Sequence, residues 1–113
     1  MRRGTKAHYA KHKKYARALV HERLAHYSSY LQVRYKRVAI RNTRSRWGSC
    51  SKAGNLNFCY KVVLLPEQLR DYVIVHELCH LKEFNHSQRF WAHVAQIFPD
   101  YRARRQALIR WRT

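Results

Sequence analysis

The sequence predicts an α+β domain: a long basic N-terminal helix, a small antiparallel sheet of about three strands, then a buried helix and two C-terminal helices. Three observations carry this. Residues 5–31 are free of internal Gly and Pro and space apolar residues by threes and fours. Between 35 and 65 the apolar period falls to two, with turn residues between the runs. After Pro66 a segment opens whose apolar residues wrap most of the way round a helix. At 113 residues and 46% apolar content the chain fits one domain, 1–113, with 1–34 as the basic helix and 35–113 as the core unit.

In the first helix, Ala16, Val20, Leu24, Tyr27 and Leu31 draw one apolar stripe, while Lys11, Lys13, Lys14, Arg17 and Arg23 fall mainly off it. His8, His12, His21 and His26 read as members of the same basic helix. In YKRVAIRN, Val38 and Ile40 alternate with Arg37, Ala39 and Arg41, as in a half-buried strand. SRWGSC (45–50) is strand-like, and Gly48 marks a bulge or a close backbone approach. SKAGN (51–55) is turn chemistry. LNFCYKVVLL (56–65) reads as one more strand. Pro66 and Glu67 suit a first helical turn, where proline loses no needed N–H and the acid meets the positive dipole end. The helix then runs through EQLRDYVIVHELCHLKEF, apolar all round and so buried. Ser87 caps QRFWAHVAQIF, Pro99 ends it, and DYRARRQALIRW forms a last basic helix. Trp47 and Trp91 read as core residues.

Charge is the extreme property. There are 24 Lys+Arg against 6 Asp+Glu, formally +18. Residues 1–46 hold fourteen of the bases and a single acid, Glu22, whereas Glu67, Asp71, Glu77 and Glu83 cluster between 67 and 83. Such a balance attracts polyanions, so DNA or RNA is a natural partner, with Lys11, Lys13, Lys14 and Arg17 as the candidate contacts; a merely solvated basic face is the plainer alternative. The basic N-terminus has no apolar run behind it, which argues against a signal peptide, and the apolar runs are too short to span a bilayer. Cys50, Cys59 and Cys79 form no C-x-x-C pair and read as reduced thiols of a cytoplasmic protein.

The stretch HELCHLKEFNH, 76–86, carries the chemistry. On a helix His76 and His80 lie one turn apart on one face, so their imidazoles can converge on an ion. Glu77 is rotated aside, placed to hold a water without ligating the metal. His86 is ten residues beyond His76, about 15 Å along a continuous helix, so the chain must turn after Glu83. Phe84–Asn85 is the candidate turn, because Asn tolerates the left-handed conformation that ends helices. Three histidines and a water make the open four-coordinate arrangement of catalytic zinc, and three imidazoles favour one Zn²⁺ over other divalent ions. The competing reading is a histidine-rich polar helix. It leaves unpaired polar groups on a buried element, which is costly.

RWGSCSKAGNLNF, the strand leading to YVIVHELCHLKEFNHSQRFW, and the trailing FPDY together resemble the YgjP-like zinc metallopeptidase domain, which is related to the SprT-like and WLM metallopeptidases. The resemblance covers about residues 35–105. It implies a zincin-like minimal metallopeptidase fold with a small sheet over an H-E-x-x-H helix. It also implies His76, His80 and His86 as metal ligands, and Glu77 as the base in peptide hydrolysis by zinc-activated water. The metzincin pattern differs, having Gly where Glu83 stands. An extended peptide or protein substrate could add to the strand near Leu56–Tyr60. Asn57, Arg89 and Tyr101 are candidate substrate or oxyanion contacts, Glu83 a candidate partner of a ligand imidazole, and Cys79 a packing residue.

By analogy with SprT-like relatives, the substrates expected are proteins associated with nucleic acid. Two other classes compete. A bacterial rRNA-processing ribonuclease family has the same histidine spacing, but typically Gly at the position of Glu77. A nucleic-acid-binding module with a structural zinc would suit the charge, yet needs no glutamate in that register.

Overall fold

The computed structural model describes residues 2–111. Helix α1, Lys6–Leu31, is capped by the Thr5 hydroxyl, which accepts from the His8 amide, and closes through Gln32 in the left-handed region. Its stripe of Ala16, Val20, Leu24, Tyr27 and Leu31 is buried, as the spacing predicts. The stripe lies across α2 and the 3-10 turn that precedes it.

Strands β1 (Arg37–Arg41), β2 (Gly48–Cys50) and β3 (Asn55–Cys59) form a sheet of order β1-β3-β2. β2 pairs antiparallel with β3 through the tight turn that Gly54 closes at φ +93°, a conformation natural to glycine. β1, however, pairs parallel with β3, so the sheet is mixed and the expectation of an antiparallel sheet is corrected. The physical reason lies in the connection. The loop 42–47 carries the chain from β1 past the end of β3, and β2 then lies on the far side of β3. The third strand also stops earlier than expected, because Tyr60–Leu64 wind into a 3-10 turn that tucks Tyr60 and Val62 into the core.

Helix α2 (Glu67–Cys79) is the central buried element, with Ile74, Val75, Leu78 and Cys79 fully enclosed. One polar cluster joins it to α1. Asp71 accepts from the Tyr27 hydroxyl at 2.7 Å, from Arg70 Nε at 2.8 Å and from Arg23 at 3.3 Å. Burial, first, and the bond to Asp71 raise the Tyr27 phenol above its usual range, so the hydroxyl stays a donor. α3 (Gln88–Ile97) starts on the Ser87 cap and buries Phe90 and Val94. α4 (Tyr101–Arg110) follows Pro99 and lies along α2. Among the described residues no helix is long and apolar enough to cross a membrane.

Candidate active site

His76 stands in the last turn of α2 and His80 is its C-cap. The helix ends at Cys79, four residues before the expected turn. Leu81, Lys82 and Glu83 donate to Leu78 or Cys79 carbonyls at 3.0 Å, so tight local hydrogen bonds finish the helix. Asn85 does not adopt the left-handed conformation expected of it, since Gln32 is the only non-glycine described residue with positive φ. Its carbonyl instead accepts from the Ser87 amide at 2.8 Å and leads the chain into α3. The reversal still delivers His86, whose ring centroid lies 5.2 Å from that of His76 and 4.7 Å from that of His80.

One ligand atom from each of His76, His80 and His86 falls within 4.8 Å of the others, and no other group of three or more potential ligands occurs among the described residues. Phe90 forms the floor, stacked 4.5 Å from His80 and edge-on 4.9 Å from His86. Burial, then the neighbouring His76, lowers the pKa of His80 and of His86. Both imidazoles therefore stay neutral at physiological pH with a lone pair available to a metal. His80 Nδ1 lies 3.3 Å from the Glu83 carbonyl; donating there leaves Nε2 free. The partner is thus the backbone of Glu83, while its carboxylate lies 3.7 Å from Arg89. Three converging imidazoles that face open clefts suit a metal that keeps a position for water.

Glu77 is 6% exposed, and its Oε2 sits 3.1 Å from His76 Nδ1. Gly48 explains how β2 approaches so closely. A Cβ there would come within 3.0 Å of Glu77 Cγ and 3.1 Å of Phe58, the close approach the sequence predicts.

Tyr101 lines a cleft of about 560 Å³ with His76 and His86, and stacks on Trp91 at 5.0 Å. Trp91 in turn stacks on His86 at 5.8 Å, so it forms a cleft wall rather than only core. Asn57 and Arg89 are not brought to the histidines. β3 is the central strand, and Asn57 alternates with the core-facing Leu56 and Phe58; its side chain accepts from Arg41 Nε at 2.9 Å. Arg89 projects into solvent at the start of α3. The central place of β3 also removes Leu56–Tyr60 as a docking edge, since both neighbours are taken. The edge beside the histidines is β2, whose Gly48, Ser49 and Cys50 line a cleft with His80 and Glu77. Sequence reasoning missed Arg46 and Arg105, which line a cleft with His76 and Glu77. For Arg105 a signal existed: it is one helical turn after Tyr101.

The YgjP-like metallopeptidase domain matches this chain over residues 2–110, so the likeness extends through α1 beyond the motifs at 35–105. Among curated proteins none matches. Among solved structures, the metallopeptidase zymogen abylysin of Pyrococcus abyssi is 28% identical, with TM-score 0.72, covering 80% of this chain and 91% of that one. The metallopeptidase zymogen jannalysin of Methanocaldococcus jannaschii is 23% identical, with TM-score 0.70, covering 80% and 93%. The latter likeness is one of fold.

Proposed function

The chain belongs to the YgjP-like metallopeptidase domain family, and from that membership we propose that His76, His80 and His86 hold one zinc ion at which Glu77 acts as general base in peptide hydrolysis. The observation that carries the assignment is the convergence of the three imidazoles within 4.8 Å beside the buried Glu77. Bound there, zinc would supply Lewis acidity, polarising the scissile carbonyl and lowering the pKa of a water toward about 7. Glu77 takes a proton from the attacking water and delivers it to the leaving amine. The bare backbone of Gly48 leaves room for the Glu77 side chain against β2, and Phe90 stacks on His80 from below. Tyr101 would donate to the developing oxyanion, a role supported by its lining the same cleft as His76 and His86. The free edge of β2 offers backbone groups to an extended substrate.

Chelation followed by readdition of metal tests this reading. Peptide hydrolysis should vanish with the metal and return with one equivalent of zinc. Hydrolysis that persists in the stripped protein, or cleavage of RNA in place of peptides, contradicts it.

A nucleic-acid partner is a second reading, favoured by the N-terminal half of α1. Lys11, Lys14 and Arg17 are exposed there, and none pairs with a carboxylate among the described residues. Lys13 is partly covered, its ammonium 5.4 Å from the Tyr9 ring centroid. On this reading the substrates are proteins associated with DNA or RNA, and the enzyme works in the cytoplasm.

A further inference from the structure

Three clefts converge on the histidines, and their charges are one-sided. The first is lined by Arg102 and Arg105 beside His76 and His86. The second passes Trp47 and Tyr72 to Glu77, with Arg46 and Arg105 on its walls. The third follows β2 past Ser49 and Cys50 to His80, again with Arg46, and reaches Phe84. Among the described residues Glu77 is the only acid lining any of them.

Among the described residues no acidic side chain outside the clefts is left unpaired to supply the missing counter-charge. Five of the 6 acids pair with other arginines, Glu22 and Asp71 with Arg23, Glu67 with Arg70, Glu83 with Arg89 and Asp100 with Arg104, and the sixth, Glu77, lies 3.1 Å from His76 Nδ1. Arg46, Arg102 and Arg105 make no salt bridge among the described residues. Two of them are nevertheless held in place by aromatic rings. The Arg105 guanidinium lies 5.9 Å from the Trp91 ring centroid, and that of Arg102 lies 5.6 Å from Tyr101. Unpaired guanidinium groups in a concave site focus a positive potential, and their planar fork matches a carboxylate.

We propose that these clefts are carboxylate subsites, and that the enzyme selects peptides carrying Asp or Glu side chains close to the scissile bond on both sides. The inference rests on the hydrolysis proposed above. Peptides with Lys or Arg at those positions are repelled by Arg46 and Arg105. A peptide's terminal carboxylate has the same chemistry, but it could occupy only one end of the site, whereas from their shared cleft Arg105 reaches on into the first cleft and Arg46 into the third.

The test uses the zinc-loaded full chain at near-physiological salt with one peptide framework. The residues flanking the bond are Glu, Gln or Lys, and each peptide has a free or an amidated C-terminus. The expected kcat/KM for Glu exceeds that for Gln by about tenfold or more, with Lys lower still, whichever C-terminus is present. Arg46→Gln and Arg105→Gln should erase most of that preference. Lys6→Gln, with the same change in net charge at an exposed position of remote α1, should keep it, and Arg105→Glu should shift preference toward Lys. Equal rates for Glu and Gln peptides, or a preference lost equally in Lys6→Gln, overturn the proposal; so does a preference that depends only on the C-terminal carboxylate. If the wild type cuts no peptide faster than Glu77→Gln does, the hydrolysis assignment fails by itself. Fluorescence anisotropy of the same labelled peptides on Glu77→Gln then decides the subsites, and equal affinity for Glu and Gln overturns them.

Discussion

Gly48 shows how one missing side chain makes room for the carboxylate proposed as the general base. A methyl there would press on Glu77 Cγ at 3.0 Å and on the buried Phe58, so the carboxylate or the strand must move. Gly48→Ala is expected to keep zinc stoichiometry while lowering kcat by about tenfold to a hundredfold, because small misplacements near the reacting groups are expensive. Steady-state kinetics with metal analysis on the same sample checks this; unchanged kcat would mean that Gly48 does not set the position of Glu77. The thiols illustrate the opposite case, residues that burial makes inert. Burial, above all, pushes Cys50 up to about 11 and Cys79 up to about 12 from an ordinary 9.0. In the unfolded chain both ionise near 9, so above that pH the unfolded state binds fewer protons and stability falls as pH rises. Denaturant unfolding between pH 8 and 10.5 should show that decline, and Cys79 should resist alkylation at pH 8 until the protein unfolds.

At the scale of elements, the contact that fixes α1 on α2 is a buried ionic cluster rather than apolar packing alone. Asp71→Asn would leave Arg23 and Arg70 without their shared partner, and the Arg23 Nε already lacks a hydrogen bond. A loss of about 3 kcal/mol is expected in urea unfolding, and a loss near zero would show that the cluster is replaceable. This cluster was not legible in the sequence, because it joins residues 48 positions apart. The helices were legible. Their apolar spacing, the Ser87 cap and the Pro66 and Pro99 boundaries are local signals, and all describe what forms. The parallel pairing of β1 with β3 was not, since strand order depends on where a loop crosses. Nor was the end of α2, because LKEF has good helix formers and only the hydrogen bonds after Leu78 reveal the turn. The three histidines and Glu77 came together as the motif's spacing predicts. The arginines around them come from the loop before β2 and from α4, which only the tertiary fold brings together.

Over the whole molecule the charge of +18 is offset so little internally that long-range attraction to polyanions is unavoidable. If α1 binds nucleic acid, the logarithm of affinity should fall linearly with the logarithm of salt concentration, by roughly 0.9 for each duplex phosphate neutralised. Replacing Lys11, Lys13, Lys14 and Arg17 with Gln should flatten that slope in anisotropy titrations between 50 and 200 mM salt. A slope unchanged by the four substitutions would place the contact elsewhere. None of this bears on the proposed chemistry, which assigns the reaction to one carboxylate beside three imidazoles. Zinc titration of wild type and Glu77→Gln, with bound metal and peptide hydrolysis read from the same samples, tests that directly. Both proteins should bind one equivalent, and only the wild type should gain turnover, with Glu77→Gln lower by about a hundredfold or more. Equal turnover in the two, at equal zinc, would contradict the account.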